Sequence, residues 1–100
     1  MAKSILSVDE IKKSVAPICR RYGIHRAYLY GSYARSEATE NSDLDIRIEK
    51  GNLRGIFALC GFRQDIVDAL QKKVDVISQL PDRKDFRDSI TRDEVLIYEA

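Results

Sequence analysis

The sequence predicts an α/β fold of the mixed α+β kind, a small mixed β-sheet flanked by helices. Three observations carry this. An apolar repeat at helical spacing opens the chain behind a capping box at Ser7 and Glu10. Segments 24–30, 43–49 and 74–78 read as strands set between turn residues. Helical spacing returns between the second and third of these. With 100 residues, 44% of them hydrophobic, the chain suits one domain with one modest core.

Val8, Ile11, Val15, Ile18 and Cys19 predict a helix over 8–22, with Gly23 as its stop. Pro17 lies inside it, so a kink or a tightened final turn is expected. Residues 24–30 are β-branched and aromatic and run into a tight Gly31-Ser32 turn. Residues 33–37 favour a short helix, and 38–42 form a polar loop. Residues 43–49 alternate polar and apolar, the mark of a half-buried strand. Gly51-Asn52 closes it. Residues 53–70 carry helical apolar spacing, which Gly61 is expected to split into a short and a longer helix. After the strand at 74–78, Pro81 breaks the chain, 82–93 is polar and helical, and 95–98 forms a closing strand. The first two strand connections are not standard βαβ crossovers, so no Rossmann-like sheet is expected.

Seventeen Lys/Arg against sixteen Asp/Glu give a net charge of +1, which argues against a broad nucleic-acid-binding surface. Cys19 and Cys60 lack metal-ligand spacing and read as two buried thiols in a reducing compartment. The first residues lack a charged segment followed by a long apolar run, so no signal peptide is expected. No stretch approaches the roughly 18 apolar residues of a membrane span. A soluble, cytoplasmic protein is the expectation.

Asp43 and Asp45 lie two apart on a predicted strand, so both project from one face with Arg47, while Leu44, Ile46 and Ile48 face the core. Paired carboxylates repel unless a cation lies between them, and magnesium prefers such oxygen ligands. In isolation an Asp-x-Asp is a weak signal, shared with many solvated strand faces. Gly31-Ser32 follows a strand and opens a short helix. Glycine admits a phosphate close to the backbone, and the serine hydroxyl and the amides at a helix start can donate to it. Arg35, one turn on, is placed to reach a phosphate or an acidic neighbour.

Ten residues separate Ser32 from Asp43. This Gly-Ser-x10-Asp-x-Asp string resembles the signature of the DNA polymerase β-like nucleotidyltransferase superfamily. Gly31-Ser32-Tyr33-Ala34-Arg35 through Ser42-Asp43-Leu44-Asp45 resembles its minimal nucleotidyltransferase branch. Lys73-Val74-Asp75-Val76-Ile77 looks like that branch's third-carboxylate strand, and residues 90–98, ending Val-Leu-Ile-Tyr, are similar to its C-terminus. The match spans about residues 10–98, so one minimal nucleotidyltransferase domain over 1–100 is expected.

The resemblance implies a polymerase β-like nucleotidyltransferase fold and transfer of AMP from ATP onto a hydroxyl. It implies two magnesium ions on Asp43, Asp45 and Asp75, these three also being the catalytic residues. Gly31, Ser32 and Arg35 would bind the nucleotide. Alternation supports Asp75 separately, since Val74 and Val76 take the core side. Asp65 and Asp68 are alternatives on a predicted helix. The chain carries no acceptor-gripping domain of the kind larger relatives have, so the acceptor is expected to come with a partner. The branch it resembles serves as antitoxins to HEPN ribonuclease toxins, neutralising the toxin by adenylylating a tyrosine, by binding, or both. A non-catalytic binding antitoxin and transfer to a small molecule are the alternatives. Homo- or hetero-oligomerisation stays open.

Two positions depart from the family pattern. Ser36 stands where glycine often follows the arginine. Arg47 occupies a commonly apolar position on the Asp45 side, where a carboxylate, a phosphate or competition with metal are all open to it. His25 reads as structural or solvated, Tyr28 and Tyr30 as packing residues with one able to border the nucleotide base, and 82–88 as a solvated helix face.

Overall fold

The computed structural model describes residues 5–80 and 82–100. Helix α1 is Val8–Tyr22, with Ser7 accepting from Glu10 N and Glu10 reaching back to Ser7 N as the capping box requires. Pro17 is carried inside the helix, and the last turn tightens as Gly23 N donates to Arg20 O and Ile24 N to Cys19 O. Strand β1 (Arg26–Tyr30) pairs antiparallel with β2 (Leu44–Glu49). Helix α2 (Gly55–Leu70) returns the chain to β3 (Val74–Ile77), which pairs parallel with β2. Helix α3 (Lys84–Asp93) leads into β4 (Val95–Glu99), antiparallel to β1 with a bulge near Ala27 and Tyr28. The mixed sheet runs β3-β2-β1-β4, as the sequence predicts.

Strict alternation divides the sheet into two faces. Ala27, Leu29, Leu44, Ile46, Ile48 and Val74 are buried on one, against Ile11, Val15, Ile18 and Cys19 of α1 and Phe62, Ile66 and Leu70 of α2. Cutting any one of the large residues here to alanine costs about 2–5 kcal/mol. The other face carries Tyr28, Tyr30, Asp45, Arg47 and Asp75. Among the described residues no helix is long and apolar enough to cross a membrane.

Three local expectations need correction, and one falls on Pro81, outside the described residues. Residues 33–37 are not a helix. Arg35 N donates to Gly31 O, Ser36 N to Tyr33 O and Glu37 N to Ser32 O, a single turn that stops because Ser36 sits at φ 60°. Gly61 does not split residues 53–70. It lies within one continuous α2, where a Cβ would stand 2.9 Å from Tyr22 Oη, so its role is to let α1 and α2 approach. Only one thiol is buried: Cys19 is in the core, its pKa pushed up to about 12 by burial, while Cys60 is exposed on the outer side of α2.

Candidate active site

Strand pairing assembles the predicted residues at one end of the polar face. Tyr30 ends β1 opposite Asp45, and Asp45 stands opposite Asp75 on β3. Asp43 lies one residue ahead of β2. The parallel β2–β3 register thus brings together two carboxylates thirty residues apart in sequence. Asp45 is half-buried, while Asp43 and Asp75 are exposed.

The turn and the carboxylates interlock. Gly31 has φ 75°, a left-handed conformation that side chains resist. A Cβ there would collide with Asp45 Oδ2. The glycine therefore serves twice, for its backbone angle and for the space it leaves to Asp45. Tyr33, 4% exposed, roots this turn in the core.

The electrostatics single out Asp45. The Asp45 carboxyl is raised above its ordinary pKa by burial first, then by the charges of Asp75 and Asp43, with Arg35 pulling the other way. Burial, and then Asp45 and Asp75, push the Tyr30 hydroxyl up to about 12, so it keeps its proton. Among the described residues, no group of three or more His, Cys, Asp or Glu side chains is arranged so that it could hold a metal ion by itself. Magnesium does not need one, since it keeps waters or phosphate oxygens in its shell and takes one or two carboxylates. An all-oxygen donor set in which Asp75 and Asp43 disfavour the charge on Asp45, beside a cradle a side chain would fill, fits that ion.

Arg35 Nε donates to Glu37 Oε1 at 2.9 Å, an acidic neighbour, and its charge also reaches Asp45. Other expected residues fall elsewhere. Asp65 accepts from Arg21 Nη1 at 3.0 Å and Tyr22 Oη at 2.9 Å, and Asp68 from Gln64 Nε2 at 2.9 Å, so both serve α2 rather than the carboxylate group. His25 is exposed at the far end of the sheet, 4.0 Å from Glu49. Arg47 does not meet a carboxylate of the site. Its Nε and Nη2 bind Glu94 at 2.9 and 2.7 Å, and its guanidinium lies 4.3 Å above the Tyr28 ring. Sequence reasoning missed Glu94, which looks like any surface acid after a polar helix, and Lys72, which looks like a solvated lysine before a strand.

Residues 13–100 match the family model described as polymerase beta, nucleotidyltransferase. A candidate protein adenylyltransferase of Methanocaldococcus jannaschii is 37% identical over 73% of this chain and 78% of its own length. A solved candidate minimal nucleotidyltransferase superposes with TM-score 0.75 at 25% identity, covering 92% of this chain and 97% of the other. A solved complex of a tri-AMPylated Shewanella oneidensis HEPN toxin with an MNT antitoxin matches with TM-score 0.68 at 16% identity, over 93% of this chain and 73% of that one, a likeness of fold. The chain belongs to the polymerase β-type nucleotidyltransferase family, and it is a nucleotidyltransferase.

Proposed function

We propose that this chain moves AMP from ATP onto a hydroxyl, that of a tyrosine on a partner HEPN ribonuclease toxin, with Asp43, Asp45 and Asp75 holding magnesium. The observation that carries the reading is the interlock of Gly31 with Asp45, which ties the phosphate turn to the carboxylate group. The names of the M. jannaschii relative and of the AMPylated HEPN complex support protein as the acceptor class.

Gly31 and the Ser32 hydroxyl donate to the β- and γ-phosphates. Asp43, Asp45 and Asp75 would hold the two magnesium ions through their carboxylate oxygens. The acceptor oxygen bonds to the α-phosphorus as the α–β phosphoanhydride bond breaks and pyrophosphate leaves. Asp75, exposed beside Asp45, takes the acceptor's proton on a carboxylate oxygen. Magnesium held there would lower the pKa of the attacking hydroxyl and would neutralise charge on the triphosphate. Positioning and charge stabilisation supply most of such catalysis. A binder without turnover would be favoured by an Arg47 that competes with metal, and that guanidinium is taken up by Glu94 and Tyr28.

The test is α-labelled ATP with magnesium and the partner. Label on the partner, lost about 10³-fold in Asp43→Asn while the fold survives, is expected if the carboxylates supply several kcal/mol. Wild-type transfer by Asp43→Asn would sink the mechanism. Tight complex formation without label would favour the binder, and ATP consumption with a small alcohol alone would favour a small-molecule acceptor.

A further inference from the structure

We infer that Lys72 is a positioning residue for the carboxylate site, its ammonium tethering the loop that delivers Asp43; this rests on the nucleotidyl-transfer reading above. Lys72 is 7% exposed, the buried charged side chain among the described residues. Yet among the described residues no carboxylate lies within ion-pair distance of it. Its partner is a backbone carbonyl: Nζ donates to Glu40 O at 3.1 Å.

Glu40 sits in the loop that joins the phosphate turn to β2, and that loop is otherwise bonded to itself. Thr39 N donates to Ser42 Oγ, Asn41 N to Thr39 Oγ1 and Ser42 N to Thr39 O. The base of the tether is firm. Gln71 caps α2 at φ 55° with its N–H on Val67 O, and Lys73 O accepts from Leu44 N at 2.9 Å. Between this base and the loop lies a cavity of about 170 Å³ with Asp43 on its wall. Packing does not close that gap, so the Lys72–Glu40 bond spans it. The same bond sets how far the loop stands from β3, and hence where Asp43 sits relative to Asp75.

Lys72→Met keeps the length and removes the ammonium. In native-state hydrogen exchange of the protein alone, amides 39–43 should exchange about tenfold faster, while amides of α1 and β1 keep their wild-type rates. Mn2+ titration adds a test of sign. Removing a nearby positive charge should tighten cation binding by simple Coulomb attraction. Loss of positioning should weaken it several-fold instead. In AMP transfer, kcat should fall roughly 10–100-fold with KM for ATP unchanged, and Lys72→Arg should restore most of it. Lys72→Gln serves for the same readings if the Met variant does not fold. Wild-type exchange at 39–43 overturns the tether whatever the activity, and tighter Mn2+ binding overturns the positioning role. If wild-type Mn2+ binding is indifferent to Asp43→Asn, the metal reading fails, and the exchange rates still decide the tether.

Discussion

Along β2 the polar face carries Asp45, Arg47 and Glu49, and its two ends treat charge differently. Arg47 is gripped by both oxygens of Glu94 and stacked over Tyr28, with the paired side chains 11% and 14% exposed. One residue pair further, Arg26 bridges Glu49 and Glu99 at 2.9 and 2.8 Å. At the other end Asp45 faces Asp75, and the opposing charge felt at Asp45 is the longer-range attraction of Arg35. One end of the strand is neutralised within the fold. The other keeps an uncompensated, partly buried negative charge. Charge left unsettled on an otherwise settled framework marks where a ligand is expected.

Four substitutions break or sharpen that contrast. Gly31→Ala attacks the uncompensated end. Alanine is strained at φ 75° and pushes on Asp45, and displacements of this kind cost roughly 10²-fold, so AMP transfer should fall by about that factor. Wild-type kinetics would separate the turn from the carboxylates.

Arg47→Met attacks the compensated end. It leaves Glu94 partly buried without its partner, which should lower unfolding stability by about 2–3 kcal/mol in denaturant titration. Adding Glu94→Gln should recover part of that loss. A loss of transfer larger than the loss of folded protein would instead put Arg47 in the site.

Asp45→Asn should abolish transfer yet stabilise the protein. The sign follows from the raised pKa. The folded protein holds this proton more tightly than the unfolded chain, so stability is lost as pH rises from the ordinary aspartate range through the folded pKa. The advantage of Asn over Asp should therefore be full at neutral pH and vanish in acid. Equal stability at pH 7 would mean the charge is already compensated.

The smallest effect belongs to Ser36→Gly, at the left-handed position that closes the Gly31 turn. Relief of strain should raise stability by about 0.5–1 kcal/mol without loss of transfer. A thermal melt is enough to read it. A destabilised Gly variant would mean that serine makes a contact worth more than the strain.

Much of this was legible in the residues. The capping box, Gly23 and the apolar spacing predict α1 with the ends observed, because capping and periodicity are local. Alternation at 43–49 puts Asp45 on the polar face, because a strand leaves no other choice. The misreadings share a cause. Gly61 is a helix breaker by propensity, but contact with Tyr22 uses its missing side chain. Cys60 reads as buried by composition, yet helix phase turns it outward.

The sequence by itself determined the site's parts: a glycine turn, two carboxylates at period two, a third on a later strand, and the ten-residue spacing that carries the family resemblance. Only the tertiary structure decided how they meet. Parallel pairing of β2 with β3 sets Asp75 beside Asp45, and the Gly31 turn folds against Asp45. Packing at the α3–β4 junction commits Arg47 to Glu94, and the α2–β3 turn sends Lys72 inward to Glu40. The division is physical. Periodicity and turn chemistry act over a few residues and can be read in order, whereas charge pairing and burial depend on which distant segments the sheet brings into register.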